Sequence, residues 1–418
     1  GRVDPGLHPN DRFAWQREYP TGDLFANISG YYTFGFGTTQ IEKTYDDVLA
    51  GRTAQQQLEA TGDLFSKTDT SGTVHLTVRN DLQALAKKAL AGREGSVVML
   101  DPRTGAVLAM YSNPSFDPNK VATHDAGAAN DYLNELNNDP RKPLLANAYQ
   151  ERYMPGSTFK IVTTTVGLET GALNALSTFP DSRAWTPPNT TKPIRNYGKK
   201  VCGGDLAEVF RRSCNIPFAQ TAVTIGPSLF LNGVNKFGFD EKIPFDLPNA
   251  AVSTFGGTAA DFDSSLALLA IHGFGQGQVQ VVPLHMALIA SAVANGGTMM
   301  TPHVVQSTNT STGAVITQAN PTPWRTAMAT TTADTLRQLM IGVVQSGTAS
   351  CCMQLANGVV AAAKTGTAQL NPDGQKQRSH AWITAFAPAG PGETPRVAVA
   401  VMLKGVNDTI SAGTGGHL

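Results

Sequence analysis

Three short segments carry residues that together could act on a carbonyl group. The first is Ser157-Thr158-Phe159-Lys160. A serine hydroxyl is a weak nucleophile until a neighbouring base takes its proton. Residues three apart on a helix share a face, so this spacing sets the Lys160 amine beside Ser157. A lysine can be that base when desolvation and a nearby positive charge lower its pKa. A serine at a helix start also lies where free backbone N–H groups and the helix dipole favour an oxyanion. Taken alone, the pattern fits equally a capping serine followed by a solvated lysine. Lys160 stands in an otherwise apolar run, Phe159 to Val166, which makes a solvated lysine less comfortable.

The second segment is Ser213-Cys214-Asn215. It is the weakest of the three, because Ser307-Thr308-Asn309 shows the same pattern in a polar stretch that reads as a turn. The third is Lys364-Thr365-Gly366-Thr367, at the end of a strand-like run from Val359 to Ala363. Lys364 and the hydroxyls of Thr365 and Thr367 offer a cation and donors suited to a carboxylate. Gly366 lets a ligand approach the backbone closely. Each segment by itself reads as a surface loop or a strand end. Their order along one chain is the signal.

The surrounding elements must position these groups. Gly95 to Asp101 and Ala106 to Ser112 read as a β-hairpin around the turn Pro102-Arg103-Thr104-Gly105. Near the C-terminus, Val359 to Lys364, Ala381 to Ala387 and Arg396 to Leu403 read as an antiparallel meander, with turns near Pro372-Asp373-Gly374 and Pro388 to Pro395. Helices are expected from Asn80 or Asp81 to Ala89, from Thr158 to Glu169, from Leu284 to Ala294 and from Thr331 to Val344. The helix after Ser157 is apolar enough to be buried on most sides. Earlier, Gln40 to Leu49 reads as a short helix and Tyr31 to Gly37 as extended. The whole is an α+β pattern: an antiparallel sheet with strands from both ends of the chain and a helical region between.

Composition narrows the function. Lys+Arg and Asp+Glu are both 32, so the formal net charge is zero. That balance argues against nucleic-acid binding, which needs a basic chain. No run of 18 apolar residues occurs, so no membrane span is expected within the sequence. The four cysteines, Cys202, Cys214, Cys351 and Cys352, form no CxxC, and no histidine stands at zinc-ligand spacing. The eight histidines do not cluster. Neither a metal nor a cofactor is expected.

The ordered triple SxxK, SxN and KTG resembles the class B penicillin-binding proteins, and within them the actinobacterial penicillin-binding protein A type. Arg17-Glu18-Tyr19-Pro20, Gly95 to Asn113, Tyr153 to Lys160, Gly275-Gln276-Gly277-Gln278 and His380-Ala381-Trp382 look like that family too. The resemblance implies the penicillin-binding/serine β-lactamase-like transpeptidase fold. Residues 1–92 would be a small non-catalytic N-terminal domain of pedestal or dimerisation type, and residues 93–418 the transpeptidase domain.

It also implies a reaction. Ser157 would attack the penultimate D-alanyl carbonyl of a peptidoglycan stem peptide and expel D-alanine. An amino group of a neighbouring stem would then resolve the acyl-enzyme into a cross-link. Lys160 would activate Ser157, and Ser213 with Lys364 would pass a proton to the leaving amine. Asn215 would hold the stem-peptide amide. Lys364, Thr365, Gly366 and Thr367 would recognise the terminal carboxylate, and the backbone N–H groups of Ser157 and Thr367 would form the oxyanion hole. β-Lactam antibiotics would acylate Ser157. An N-terminal anchor outside this sequence would hold the domain on the outer face of the bacterial membrane, with division or elongation machinery as partners.

That location permits disulfides. Cys202 and Cys214 are either free or bridged, and a bridge would tether the loop carrying Ser213 and Asn215. The Cys351-Cys352 pair is expected to be reduced and packed near a helix end. The rival readings are a class D-like β-lactamase, a β-lactam sensor domain and a D,D-carboxypeptidase. The first has a hydrophobic residue where this chain has Asn215, and the second lacks the N-terminal region.

Overall fold

Alternating side-chain size builds the central sheet. The computed structural model describes residues 13, 15–61, 70–371, 375–376, 378–406 and 415. Its main sheet has five strands: β1 (Gly95–Leu100), β2 (Val107–Asn113), β3 (Ala362–Gln369), β4 (Ser379–Ala387) and β5 (Val397–Leu403). The spatial order is β3-β4-β5-β1-β2, all antiparallel. The hairpin and the meander expected from the sequence are therefore halves of one sheet, joined where Val399 faces Met99. The Pro372-Asp373-Gly374 turn lies outside the described residues.

Six helices matter for the site: α1 (Asn80–Leu90), α2 (Lys160–Thr170), α3 (Leu206–Arg211), α4 (Ile216–Ile225), α5 (Pro283–Ala294) and α6 (Thr330–Ser346). Successive strand residues face opposite sides. Val97, Ala109 and Tyr111 meet Ala86 and Leu90 of α1 on one face. Val98, Met110, Ala398, Ala400 and Met402 turn into the larger core on the other face. Small residues at 398 and 400 let α5 lie close against β5. Every residue of α5 from Pro283 to Val293 is buried, as its mostly apolar sequence favours, and its polar exceptions His285 and Ser291 bond the Phe237 and Leu288 carbonyls.

Edge strand β2 is protected by a side chain. Gln83 of α1 accepts from the Met110 N–H (2.8 Å) and donates to the Met110 carbonyl (2.9 Å). The opposite edge, β3, is left open to the site.

The N-terminal stretch is made of short pieces. Tyr32–Thr33 and Gly37–Thr38 pair as a small hairpin, and the helix expected over Gln40 to Leu49 is two short helices meeting at Tyr45. Glu42 binds this region together, accepting from Tyr19 Oη (3.1 Å) and Arg17 Nη2 (3.0 Å). Thr73–Leu76 then pairs with Val305–Asn309, which also pairs with Val315–Gln318. Ser307-Thr308-Asn309 is thus strand, not turn. Its cross-strand partners at both sides account for the difference.

Strand β3 also departs from expectation. It begins at Ala362 rather than Val359 and runs through Lys364-Thr365-Gly366-Thr367 to Gln369. Its partner β4 stops at Ala387, before Pro388, so nothing in the sheet opposes the residues ahead of Ala362. The polar residues are held in strand by an eight-pair register with β4.

Adding bulk between β5 and α5 tests this layering. Ala400→Leu should cost about 1–3 kcal/mol by overpacking, and Val399→Leu on the half-buried opposite face should cost less. Urea midpoints at unchanged slope would show it.

Candidate active site

The Ser157 turn is built into the core. Gly156–Phe159 is a 3₁₀ turn that runs straight into α2. Phe159 is fully buried and packs on Phe255 (5.7 Å between centroids) and edge-on to Phe239 (5.6 Å). Thr158 Oγ1 donates to the Pro155 carbonyl (2.9 Å). Ser157 alone faces a cleft, which Tyr197, Arg212, Asn215, Gln276 and Thr367 also line. Its hydroxyl makes no hydrogen bond among the described residues.

Close backbone contact fixes this turn against β3. Gly156 has φ +55°, and a Cβ there would stand 2.6 Å from the Thr367 carbonyl oxygen. The Gly156 N–H donates to the Gly275 carbonyl (2.9 Å), and Gln276 Nε2 donates to the Thr367 carbonyl (3.3 Å). The Thr367 carbonyl therefore points off the open edge of the sheet. In an antiparallel pair a residue's N–H points the same way as its carbonyl. The Thr367 N–H accordingly faces the Ser157 turn.

Ser213 and Asn215 reach the same place from another direction. Helix α3 ends at Arg211, and Ser213 takes the left-handed conformation, φ +60°, with its N–H on the Phe210 carbonyl (3.1 Å). A non-glycine residue in that region carries strain and needs support around it. Two features supply it. Cys214 is bridged to Cys202, with Cα atoms 5.8 Å apart, inside the usual range for a disulfide. Asn196 is buried, and its amide is fully used: Oδ1 accepts from the N–H groups of Asn215 (2.8 Å) and Ile216 (3.2 Å). Its Nδ2 donates to the carbonyls of Ser182 (2.9 Å) and Lys200 (3.1 Å).

Two lysines converge on Ser213. Lys160 Nζ donates to the Ser213 carbonyl (2.7 Å), to Asn215 Oδ1 (2.9 Å) and, more weakly, to Ser213 Oγ (3.4 Å). Lys364 Nζ donates to Ser213 Oγ (2.8 Å) and to the Thr365 carbonyl (3.0 Å). Both are fully buried, and among the described residues neither has a carboxylate partner. Aromatic rings lie nearby instead, Phe218 at 5.3 Å from Lys160 and Phe210 at 5.6 Å from Lys364. Burial pushes the Lys160 amine well below its ordinary pKa, and the charge of Lys364 adds to this. Burial also lowers Lys364, to about 7.

All eight residues singled out from the sequence thus meet at one cleft or directly beneath it. The arrangement offers a hydroxyl with no partner among the described residues, two amines whose pKa values burial lowers, and the Thr367 N–H at an open strand edge.

Comparison with known proteins identifies the constellation. The penicillin-binding protein transpeptidase domain matches residues 95–417, and the penicillin-binding protein A dimerisation domain matches residues 6–74. The chain belongs to the penicillin-binding protein transpeptidase family. It is 36% identical over 418 residues to the peptidoglycan D,D-transpeptidase PbpA of Mycolicibacterium smegmatis, covering 97% of this chain and 82% of that protein. The Mycobacterium tuberculosis protein of the same name is 33% identical over 422 residues, with the same coverage. Among solved structures, penicillin-binding protein A of M. tuberculosis as a ceftriaxone acyl-enzyme superposes with a TM-score of 0.89 at 32% identity, over 98% of this chain and 91% of that one. Its penicillin G acyl-enzyme gives 0.87 at 32% identity, over 97% and 92%.

One reading from sequence is corrected. Cys351 and Cys352 are joined as a disulfide and exposed, past the end of α6, rather than reduced and packed. Adjacent sulfurs in a turn are already neighbours, so no chain rearrangement is needed to join them. His380 and Trp382 pack within the β3–β4 hairpin and against the Tyr153-Met154 segment. Trp382 is buried with Nε1 on the Met154 carbonyl (3.0 Å), and His380 packs edge-on to Tyr153. Sequence reasoning missed Asn196 and Thr348. Thr348 Oγ1 shares a hydrogen with Thr365 Oγ1 (2.5 Å) from just beyond α6. Nothing in the local sequence of either residue marks it.

Asn196→Ala would leave the Asn215 and Ile216 N–H groups without their acceptor. A loss of about 1–3 kcal/mol is expected, with faster hydrogen exchange at those two amides. Unchanged exchange there would show that Asn196 does not hold the loop.

Proposed function

We infer that this chain is a peptidoglycan D,D-transpeptidase that works through a Ser157 acyl-enzyme. The observation that carries the reading is the convergence of Lys160 and Lys364 on Ser213 beside a cleft-facing Ser157, in a member of this family.

The geometry supports the following sequence of steps. Unprotonated Lys160 takes the Ser157 proton as Oγ attacks the penultimate D-alanyl carbonyl. The oxyanion is held by the N–H groups of Ser157 and Thr367. Ser213 accepts from both lysines, so its own hydrogen is free to go to the leaving nitrogen, and Lys364 replaces it. The C–N bond breaks, D-alanine leaves, and Ser157 carries an ester. An amine from a second stem peptide then attacks the ester, its proton passing through Ser213 to Lys364, and Lys160 returns its proton to Ser157 as the ester C–O bond breaks and the cross-link forms. Asn215 holds the donor's amide. Thr365, Gly366 and Thr367 present the β3 edge to the terminal carboxylate, balanced by Lys364. β-Lactams enter by the same attack.

Residues 1–92 are read as the non-catalytic pedestal and residues 93–418 as the transpeptidase domain, with α1 and the Thr73–Leu76 strand packing the two together. The enzyme acts outside the cytoplasm, where the Cys202–Cys214 bridge can persist. Attachment to the bacterial membrane by an N-terminal anchor, with division or elongation proteins as partners, completes the proposal.

Intact-protein mass spectrometry after penicillin treatment tests it. A covalent adduct is expected in the unsubstituted protein and none in Ser157→Ala. Lys160→Arg should slow acylation by about 10²–10⁴-fold, because a guanidinium cannot act as a base at any accessible pH. An adduct that survives Ser157→Ala would overturn the assignment.

A further inference from the structure

A lobe beside the cleft is far from neutral in an otherwise neutral chain. From Arg183 to Gly204 the sequence holds five cations, Arg183, Lys192, Arg195, Lys199 and Lys200, and no acidic residue. This stretch folds as a small lobe of paired strands, Thr178–Ser182 with Cys202–Asp205 and Ala184–Trp185 with Ile194–Arg195. All five cationic residues are exposed, and none of their side chains makes an ion pair or hydrogen bond among the described residues. Of the nearby acids, Asp181 is exposed in the Thr178–Ser182 strand, and the other two are committed elsewhere. Glu208 is paired to Arg211 and Arg212, and Asp205 caps α3 through the Glu208 N–H (2.7 Å).

The lobe is not a remote surface. Its Arg195 carbonyl accepts from Asn215 Nδ2 (3.1 Å), Asn196 anchors the loop that carries Ser213, and Tyr197 lines the cleft. Like charges crowded on 22 residues repel one another, and the disulfide and Asn196 hold them together against that repulsion. A ligand seated beside Asn215 lies next to Arg212, which lines the cleft, and against the lobe through Tyr197.

We propose that the Arg183–Lys200 lobe recognises free carboxylates on the stem peptide that enters the cleft, so that the enzyme favours peptides with unamidated acidic residues. This rests on the transpeptidase reading and adds a selectivity to it. The field of the lobe raises the local concentration of anionic peptides and orients them along Asn215, an effect that salt screens.

The test uses two synthetic donors with the same D-Ala-D-Ala end. One carries a free carboxylate on an upstream residue, and the other carries its amide. Acylation of Ser157 and transfer to an amine acceptor are followed by mass spectrometry. The unsubstituted chain should prefer the free-carboxylate donor by about tenfold in kcat/KM, the size expected of a few exposed charge pairs acting together. The Arg183→Gln/Lys192→Gln/Lys199→Gln variant should bring the ratio close to one while leaving the amidated donor unaffected. Lys192→Glu/Lys199→Glu should reverse the preference. High salt should also erase it. A ratio unchanged by these substitutions overturns the proposal. So does stronger competition by a glycerol-phosphate oligomer than by the free-carboxylate peptide, which would make the lobe a phosphate-polymer site. Failure of both donors to acylate Ser157 would instead refute the transpeptidase reading, and this selectivity with it.

Discussion

Two fully buried amines share one hydroxyl at the floor of the cleft. Lys160 and Lys364 both donate to Ser213 Oγ, both are fully buried, and no described carboxylate compensates them. Burying a charge without a partner is costly, so these groups give up protons instead. The consequence for stability has a definite sign. Lys364 is lowered to about 7 in the folded chain, against an ordinary 10.5. Between these values the unfolded chain holds a proton that the folded chain has released. Stability therefore rises with pH across that window, and the burial cost is felt in full below it. The fold bears this cost to keep a base at hand near neutral pH.

The rest of the structure is arranged around that contact. Helix α2 is buried along Lys160 to Gly167, which desolvates the first amine. The open edge strand β3 delivers the second amine and the Thr367 N–H together, because strand residues three apart face opposite ways in side chain while the edge stays free. Ser213 is held in a left-handed conformation that only a supported loop retains, and Cys214 and Asn196 are the support. Gly156 admits the approach of the nucleophile turn to Thr367, where a side chain would collide with backbone.

Local chemistry was readable from the sequence wherever spacing alone decides it. Helical spacing set Ser157 and Lys160 on neighbouring turns, with Lys160 Nζ bonded to Ser213 and Asn215, and the burial of α5 follows from a run whose only polar residues are His285 and Ser291. The second motif was different. Ser213-Cys214-Asn215 and Ser307-Thr308-Asn309 are equivalent as patterns, and only the family resemblance separated them. The structure shows why: one follows a short helix at a bridged cysteine, and the other pairs on both sides as a strand. The start of β3 was set too early because an apolar run was taken for a paired one, and pairing depends on where β4 ends. Asn196 was hidden because its work is done 19 residues away along the chain. The two-residue strands of the basic lobe depend on tertiary placement that no local pattern carries.

The central claim concerns the protonation state of Lys160, and it can be observed directly. Lysine labelled with ¹³C at Cε reports its own titration by NMR, and Lys160→Arg assigns the signal. The account predicts that Lys160 loses its proton well below pH 10.5, so that a neutral amine stands beside Ser157 in the working enzyme. A Lys160 signal that stays protonated until the ordinary lysine range would contradict it.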